Sequence, residues 1–304
     1  MKYKNLDFLK NLFGKTKISW RFLLIFSVTV GIFVGILARI PLFENTSFSD
    51  IAVVLDMWIV LAIFIIVNCE TRKEAVEKTF VFFLISQPLI YLTEALLSSI
   101  FSGADFFGLT GEYFNNYYFH GGNWFFWTLL TLPGAALAFE IKKENLLASF
   151  ILSVSTGFLA FVGGYGILNS IFRTFPNHLL NGILCLFFAF SLGFLILKSR
   201  RQKIINLAIS GIFAVVGIVS FSVINFSNTP KTITLEYTEG TEISEIVSSD
   251  DSLVKIDIEN GGKTLIFTST GNYGSLEVEA KDKNGEKHLY YVDSLRDGIF
   301  VSEL

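Results

Sequence analysis

The chain of 304 residues is 52% hydrophobic and only 17% charged, with a mean hydropathy of +0.55, which excludes an ordinary water-soluble globule and with it a simple cytosolic enzyme. The net charge of −3 averages two unlike bodies: residues 1–228 hold 17 Lys and Arg against 12 Asp and Glu, whereas 229–304 hold 7 against 15. Basic residues cluster at the ends of apolar runs and not on one continuous face, so nucleic-acid binding has no support.

Residues 1–19 form a basic segment in which Leu6, Leu9 and Phe13 fall on one helical face among lysines. This predicts an amphipathic helix over 3–13 lying on the cytoplasmic membrane surface, with a disordered basic tail as the alternative. Residues 20–228 then hold seven apolar runs, at 20–43, 51–68, 79–101, 123–139, 146–167, 179–197 and 204–226. A hydrocarbon core of about 30 Å needs roughly 20 helical residues, so the runs predict a polytopic α-helical bundle of about seven transmembrane helices. The fourth run is the shortest and carries Pro133, but it opens on Trp124 and Trp127, which suit a membrane interface. Gly31 and Gly35 form a GxxxG pair, read as tight packing within the chain and not as a dimer face. The first run is read as an uncleaved helix, because Leu37-Ala38-Arg39-Ile40-Pro41 is a poor cleavage site.

Orientation follows from the loops. Lys and Arg gather in the N-terminal segment and in alternate connections: Arg72, Lys73 and Lys78, then Lys142 and Lys143, then Lys198, Arg200, Arg201 and Lys203. The intervening loops hold only Arg173. The positive-inside rule therefore predicts a plasma-membrane protein with a cytoplasmic N-terminus, and an odd number of crossings puts residues 229–304 outside. Cys69 and Cys185 lie at different depths, which predicts two free thiols.

Charges inside a span are costly and mark the first place to seek function. Arg39 lies roughly 28 Å beyond Trp20, Asp56 roughly 8 Å into the second run, and Glu94 roughly 22 Å after Thr79. All three fall in the outer leaflet on successive helices, which makes Arg39, Asp56 and Glu94 a candidate binding cluster. Three readings are open: a carboxylate left to share a proton or receive a cation, a guanidinium holding an anionic ligand or lipid headgroup, or a structural pair that only orients the bundle. Pro88 should loosen the third helix before Glu94. Gly163-Gly164-Tyr165-Gly166 predicts either a fraying end to the fifth helix or a broken helix leading to Asn169, Arg173 and His178. The aromatic, glycine-rich stretch 102–122 suits an interfacial segment or a lid.

No catalytic, metal or cofactor motif appears. His120, His178 and His288 are scattered, without HExxH or Cys/His spacing, and there is no GxSxG, phosphate loop or dinucleotide fingerprint.

From Lys231 the pattern changes to alternation. Ile233, Leu235 and Tyr237, then Val254, Ile256 and Ile258, then Leu276, Val278 and Ala280 each alternate with polar residues, and further strands are expected at 263–268, 287–292 and 298–302. Asn260-Gly261-Gly262, Gly271-Asn272-Tyr273-Gly274 and Asn284-Gly285 mark turns, the last a two-residue hairpin. The six strands predict a small all-β sandwich. Its acidic residues are read as solvated strand faces, because no calcium-ligand spacing appears. The stretch Ser248 to Val254, then Asn260 to Leu265 and Gly274 to Val278, resembles a bacterial Ig-like repeat, and the likeness covers residues 231–304 alone. It implies an exposed interaction domain with a possible protein partner and without catalytic residues. Binding or assembly at the outer face is then the first functional reading, ahead of a transporter or channel-like component and an intramembrane enzyme on a lipid-linked substrate.

Overall fold

The computed structural model describes residues 4–40, 46–48, 55–118, 124–143, 145–225, 230–238, 241–295 and 298–303. The helices are α1 (Lys4–Lys15), α2 (Trp20–Arg39), α3 (Leu55–Val67), α4 (Arg72–Ser102), α5 (Phe106–Tyr118), α6 (Trp124–Ala138), α7 (Leu146–Asn169), α8 (Leu179–Ile196) and α9 (Arg200–Asn225). The strands are β1 (Thr232–Glu236), β2 (Ile243–Ser248), β3 (Val254–Glu259), β4 (Thr264–Ser269), β5 (Gly274–Asp282), β6 (Lys287–Leu295) and β7 (Gly298–Glu303).

Among the described residues, six helical segments are long and apolar enough to cross a membrane: Trp20–Arg39, Arg72–Ser102, Trp124–Lys142, Leu146–Thr174, Leu179–Ile196 and Arg200–Val223. Their outward faces carry Ile25, Phe33, Ile100, Phe150, Val154, Ile212 and Val215, large apolar side chains left exposed by the protein itself. Such a surface fits a membrane location, because in water it would be driven inside. The second apolar run, 51–68, is described from residue 55 onward. It appears as the 13-residue α3, about 20 Å long at 1.5 Å per residue. Trp58, Val60, Ile63, Ile65, Ile66 and Val67 are buried, so α3 is a core helix of the bundle.

Helix ends follow from local chemistry. Ser19 accepts the Phe22 N–H at the start of α2, and Thr71 accepts the Glu74 N–H at the start of α4. Gly103, in the left-handed region at φ 70°, closes α4 by donating to the Ser99 carbonyl. Ser199 and Gln202 form a reciprocal capping box that opens α9.

The basic segments meet at one end of the helical bundle. Asn68 accepts the Gly14 and Thr16 N–H groups and donates to the Leu12 carbonyl. Lys78 donates to the Ile18 carbonyl and pairs with Glu74, Arg72 and Lys143 both pair with Glu140, and Gln202 donates to the Asn145 carbonyl. The amphipathic segment is thereby docked: α1 breaks at Phe13 and Gly14, and Phe13 is buried against Phe64.

Gly163 to Gly166 do not unwind the fifth helix. α7 runs through them to Asn169 and ends in a π turn over Ser170–Thr174. A Cβ on Gly163 would meet the Gly182 carbonyl at 2.9 Å, so this glycine serves the close approach of α8. The Asn206 amide donates to Ser153 Oγ and Thr156 Oγ1 at 3.1 and 2.8 Å, and Ser210 donates to Thr156 Oγ1 at 3.0 Å. Gly193 leaves room for the Asn206 side chain, so α7, α8 and α9 lock around one buried polar knot.

Contacts divide the chain into two compact units, residues 1–165 with 180–217 and residues 166–179 with 218–304. In the second unit, β1, β4 and β3 form one antiparallel sheet and β2, β5, β6 and β7 another. Val254, Leu265 and Phe267 of the first share a core with Val278, Ala280, Tyr290, Val292 and Ile299 of the second. The Tyr237 and Tyr290 hydroxyls meet at 2.6 Å, and Asn177, between α7 and α8, donates to the Tyr273 hydroxyl at 3.0 Å. Two expectations need correction here. A seventh strand, β2, escapes the alternation because register shifts interrupt it between Ile243 and Glu245 and between Ile246 and Ser248. Asn284-Gly285 sits inside a four-residue connection, 283–286, held by Asp282, whose carboxylate accepts the Asn284 and Glu286 N–H groups, both at 2.8 Å.

Burial pushes the Asp282 carboxyl up, but the N–H groups of Glu286 and Asn284 outweigh it and hold the group below the usual carboxylate range. A depressed folded-state pKa stabilises above the unfolded value, about 3.9, and this is lost as pH falls through the folded value. Asp282→Asn should therefore raise the proteolysis rate of the strand region at pH 7 and flatten its rise below about pH 4. Asn206→Leu should cost about 1–2 kcal/mol through its lost interhelical bonds, and Gly193→Val should lower the thermal midpoint in detergent further, because it also displaces Asn206.

Candidate functional site

Gly31, Gly35 and Arg39 lie four residues apart on one ridge of α2. That ridge rests on α4. A Cβ on Gly31 would meet the Ser86 carbonyl at 2.7 Å, and one on Gly35 would meet Thr93 Cβ at 2.7 Å and the Ile90 carbonyl at 2.9 Å. The GxxxG pair thus packs within the chain. The next residue on the ridge, Arg39, comes beside Glu94, with Nε 3.6 Å from Oε2. Arg39 Nη2 donates to the Tyr113 hydroxyl at 3.0 Å, and the Tyr113 ring lies 6.1 Å from that of Tyr91. Among the described residues these are the polar partners of Arg39.

The Glu94 side chain keeps 15% of its exposure and Arg39 46%, so the carboxylate is the inner member of the pair. Arg39, Trp58, Gln87, Ile90, Tyr91, Glu94 and Trp124 line a cavity of about 250 Å³. A second cavity of about 260 Å³ shares Trp58, Gln87 and Trp124 with it and continues between Ile63, Ile66, Thr79, Phe83, Trp127 and Ala135. The first is polar at the Arg39 end, and the second is almost wholly apolar. The Gln87 side chain is 4% exposed and borders both cavities. Thr79 Oγ1 is buried without a partner among the described residues.

Two of the three expected site residues, Arg39 and Glu94, come together. The side chain of Asp56 lies outside the described residues, although Trp58, two positions on, lines the cavity. The α4 helix runs unbroken through Pro88. Tyr113 comes from the aromatic stretch 102–122, of which Phe106–Tyr118 form α5, started by Asp105 accepting the Gly108 N–H at 2.8 Å. His120 lies outside the described residues. Sequence reasoning missed Gln87, Tyr91 and Tyr113. A signal for Gln87 was present: Thr79, Phe83, Gln87, Tyr91 and Glu94 repeat at three or four residues, one continuous face of α4.

No family model matches the sequence, and no curated protein or solved structure matches it either. The chemistry of the cavity carries the functional argument alone.

Gly35→Val should drive α2 off α4 and uncouple the ion pair. A double-mutant cycle of Arg39→Gln with Glu94→Gln should give at least about 0.5 kcal/mol of coupling in the Gly35 protein and none in the Gly35→Val protein, read by thermal unfolding in detergent.

Proposed function

We propose that the protein crosses the plasma membrane seven times, N-terminus in and C-terminus out, and binds at its outer leaflet an amphiphile with an anionic head. The observation that carries the binding reading is the pair of adjoining cavities, one charged at Arg39 and Glu94 and one apolar, that share Trp58, Gln87 and Trp124 as a wall. An anionic head fits the Arg39 fork, which matches phosphate or carboxylate. An apolar tail fits between Trp58, Phe83 and Trp127.

The crossing number is supported by helix direction. Gly31 with Ser86 and Gly35 with Ile90 and Thr93 ascend together, so α2 and α4 run parallel. Residues 40–71 must then return the chain to the starting end, where Asn68 meets Leu12 and Thr16. That makes the run containing α3 a return crossing, and the basic end the cytoplasmic one by the positive-inside rule. Beyond Ile66 and Ala138, the Arg72–Glu140–Lys143 cluster and the Lys142 bond to the Cys69 carbonyl tie that end together. A tied inner end favours binding over a through-path, and so ranks transport second.

We read the strand region as an Ig-like sandwich that serves as the exposed interaction domain. Two antiparallel sheets of seven strands over one core support this at the level of architecture. The strand orders 1-4-3 and 2-5-6-7 are its own, with consecutive hairpins where immunoglobulin domains place crossovers.

The full chain purified in mild detergent should retain an amphiphile detectable by native mass spectrometry. Arg39→Gln should weaken its retention by about 2 kcal/mol, roughly thirtyfold, and Gln87→Leu should weaken it too. Unchanged retention in both variants sinks the reading. Flux of solute through proteoliposomes would move transport to first place.

A further inference from the structure

A second ligand site lies at the opposite, basic end of the bundle. Lys198, Arg200 and Lys203 line a cavity of about 420 Å³ together with Phe194, Ile204 and Leu207, and among the described residues no carboxylate contributes to its wall. The arrangement is built by the turn between α8 and α9. The Ser199–Gln202 capping box starts α9, and the Gln202 amide reaches inward to the Asn145 carbonyl at 2.7 Å. Gln202 is 3% exposed and fixes the inner face of the turn. Arg200 and Lys203 are thereby left on the outer side with Lys198.

The three cations stand directly above apolar surface. Phe194 at the end of α8, and Ile204 and Leu207 in the first two turns of α9, are all exposed from the protein. Below them α9 continues with exposed Ile212, Val215, Ile218 and Val219. A soluble anion would use the charges alone and gain nothing from the apolar wall. A molecule with an anionic head and acyl chains along α9 would use both.

We infer that this cavity is a binding site for an anionic phospholipid, its phosphate held by Lys198, Arg200 and Lys203 and its acyl chains lying against Phe194, Ile204 and Leu207. The site is separate from the Arg39–Glu94 cavity. It is independent of whether that cavity takes an amphiphile, because it rests on different residues at the other end of the helices. Lipid bound here also pins the α8–α9 turn, which Gln202 couples to the segment after α6.

The test titrates the full chain in neutral detergent with phosphatidylglycerol and, separately, phosphatidylcholine, and counts lipid adducts by native mass spectrometry. Phosphatidylglycerol should bind preferentially. The triple variant Lys198→Gln/Arg200→Gln/Lys203→Gln should weaken it on the order of a hundredfold, about fivefold for each charge. Arg200→Gln alone should weaken it about fivefold, which keeps the test intact if the triple variant fails to fold. The phosphatidylglycerol adduct that the triple variant loses should persist in Arg39→Gln, and any adduct that Arg39→Gln loses should persist in the triple variant, which separates the two sites. Equal binding of both lipids, or full retention in the Arg200→Gln and triple variants, overturns the proposal. So does competition by millimolar inorganic phosphate to the same extent as by lipid, which would make this a site for the free anion.

Discussion

The close approach of α2 to α4 at Gly31 and Gly35 is the contact on which the rest of the first unit depends. Any side chain larger than hydrogen at these positions would collide with the backbone of α4, at the Ser86 or Ile90 carbonyl. In a hydrocarbon solvent there is little hydrophobic force to press helices together, so close backbone approach and polar bonds supply the association. The same contact sets the direction of the two helices. Because they run parallel, the chain must return between them, and α3 is buried in the bundle as part of that return. It also sets the charge. Arg39 is the next residue on the glycine ridge, and its neighbour across the gap is Glu94.

Polar groups in this bundle divide into two kinds. Some are fully paired and hold helices together: Asn206 with Ser153 and Thr156, Asn68 with the chain leading into α2, and Glu140 between Arg72 and Lys143. Others lack a partner among the described residues: Thr79 Oγ1, which borders the apolar cavity, and the Ser149 and Ser191 hydroxyls, which border neither cavity of the site.

The two ends of the bundle are built from different materials. At the basic end the connections are short, capped and bonded to one another, so that Ile18, Asn68, Glu140 and Asn145 each receive or make a contact from a distant segment. At the other end of α2 and α4, among the described residues, α5 reaches the charged pair through the Tyr113 hydroxyl.

Hydropathy and loop charge determined the helical class, the basic end and the change to strands at Lys231, because each is written in local composition and period. They also placed Arg39 and Glu94 in one leaflet, since depth along a helix is a count of residues. Rotation about the helix axis is not such a count, and so Gln87, Tyr91 and Tyr113 were not assigned to the site. Their meeting depends on which faces of α2, α4 and α5 touch, and the glycines decide that. The same limit explains the burial of α3, because which neighbours surround a helix is not a count of residues. It explains Gly163 as well, which reads locally as a helix breaker and in the fold is a contact point for α8. β2 escaped for the converse reason: its bulges spoil the period of two, and only pairing with β5 makes it a strand. Period and charge act within a segment, whereas the cavity, the parallel helices and the paired sheets arise between segments, where distance in the chain carries no information about distance in space.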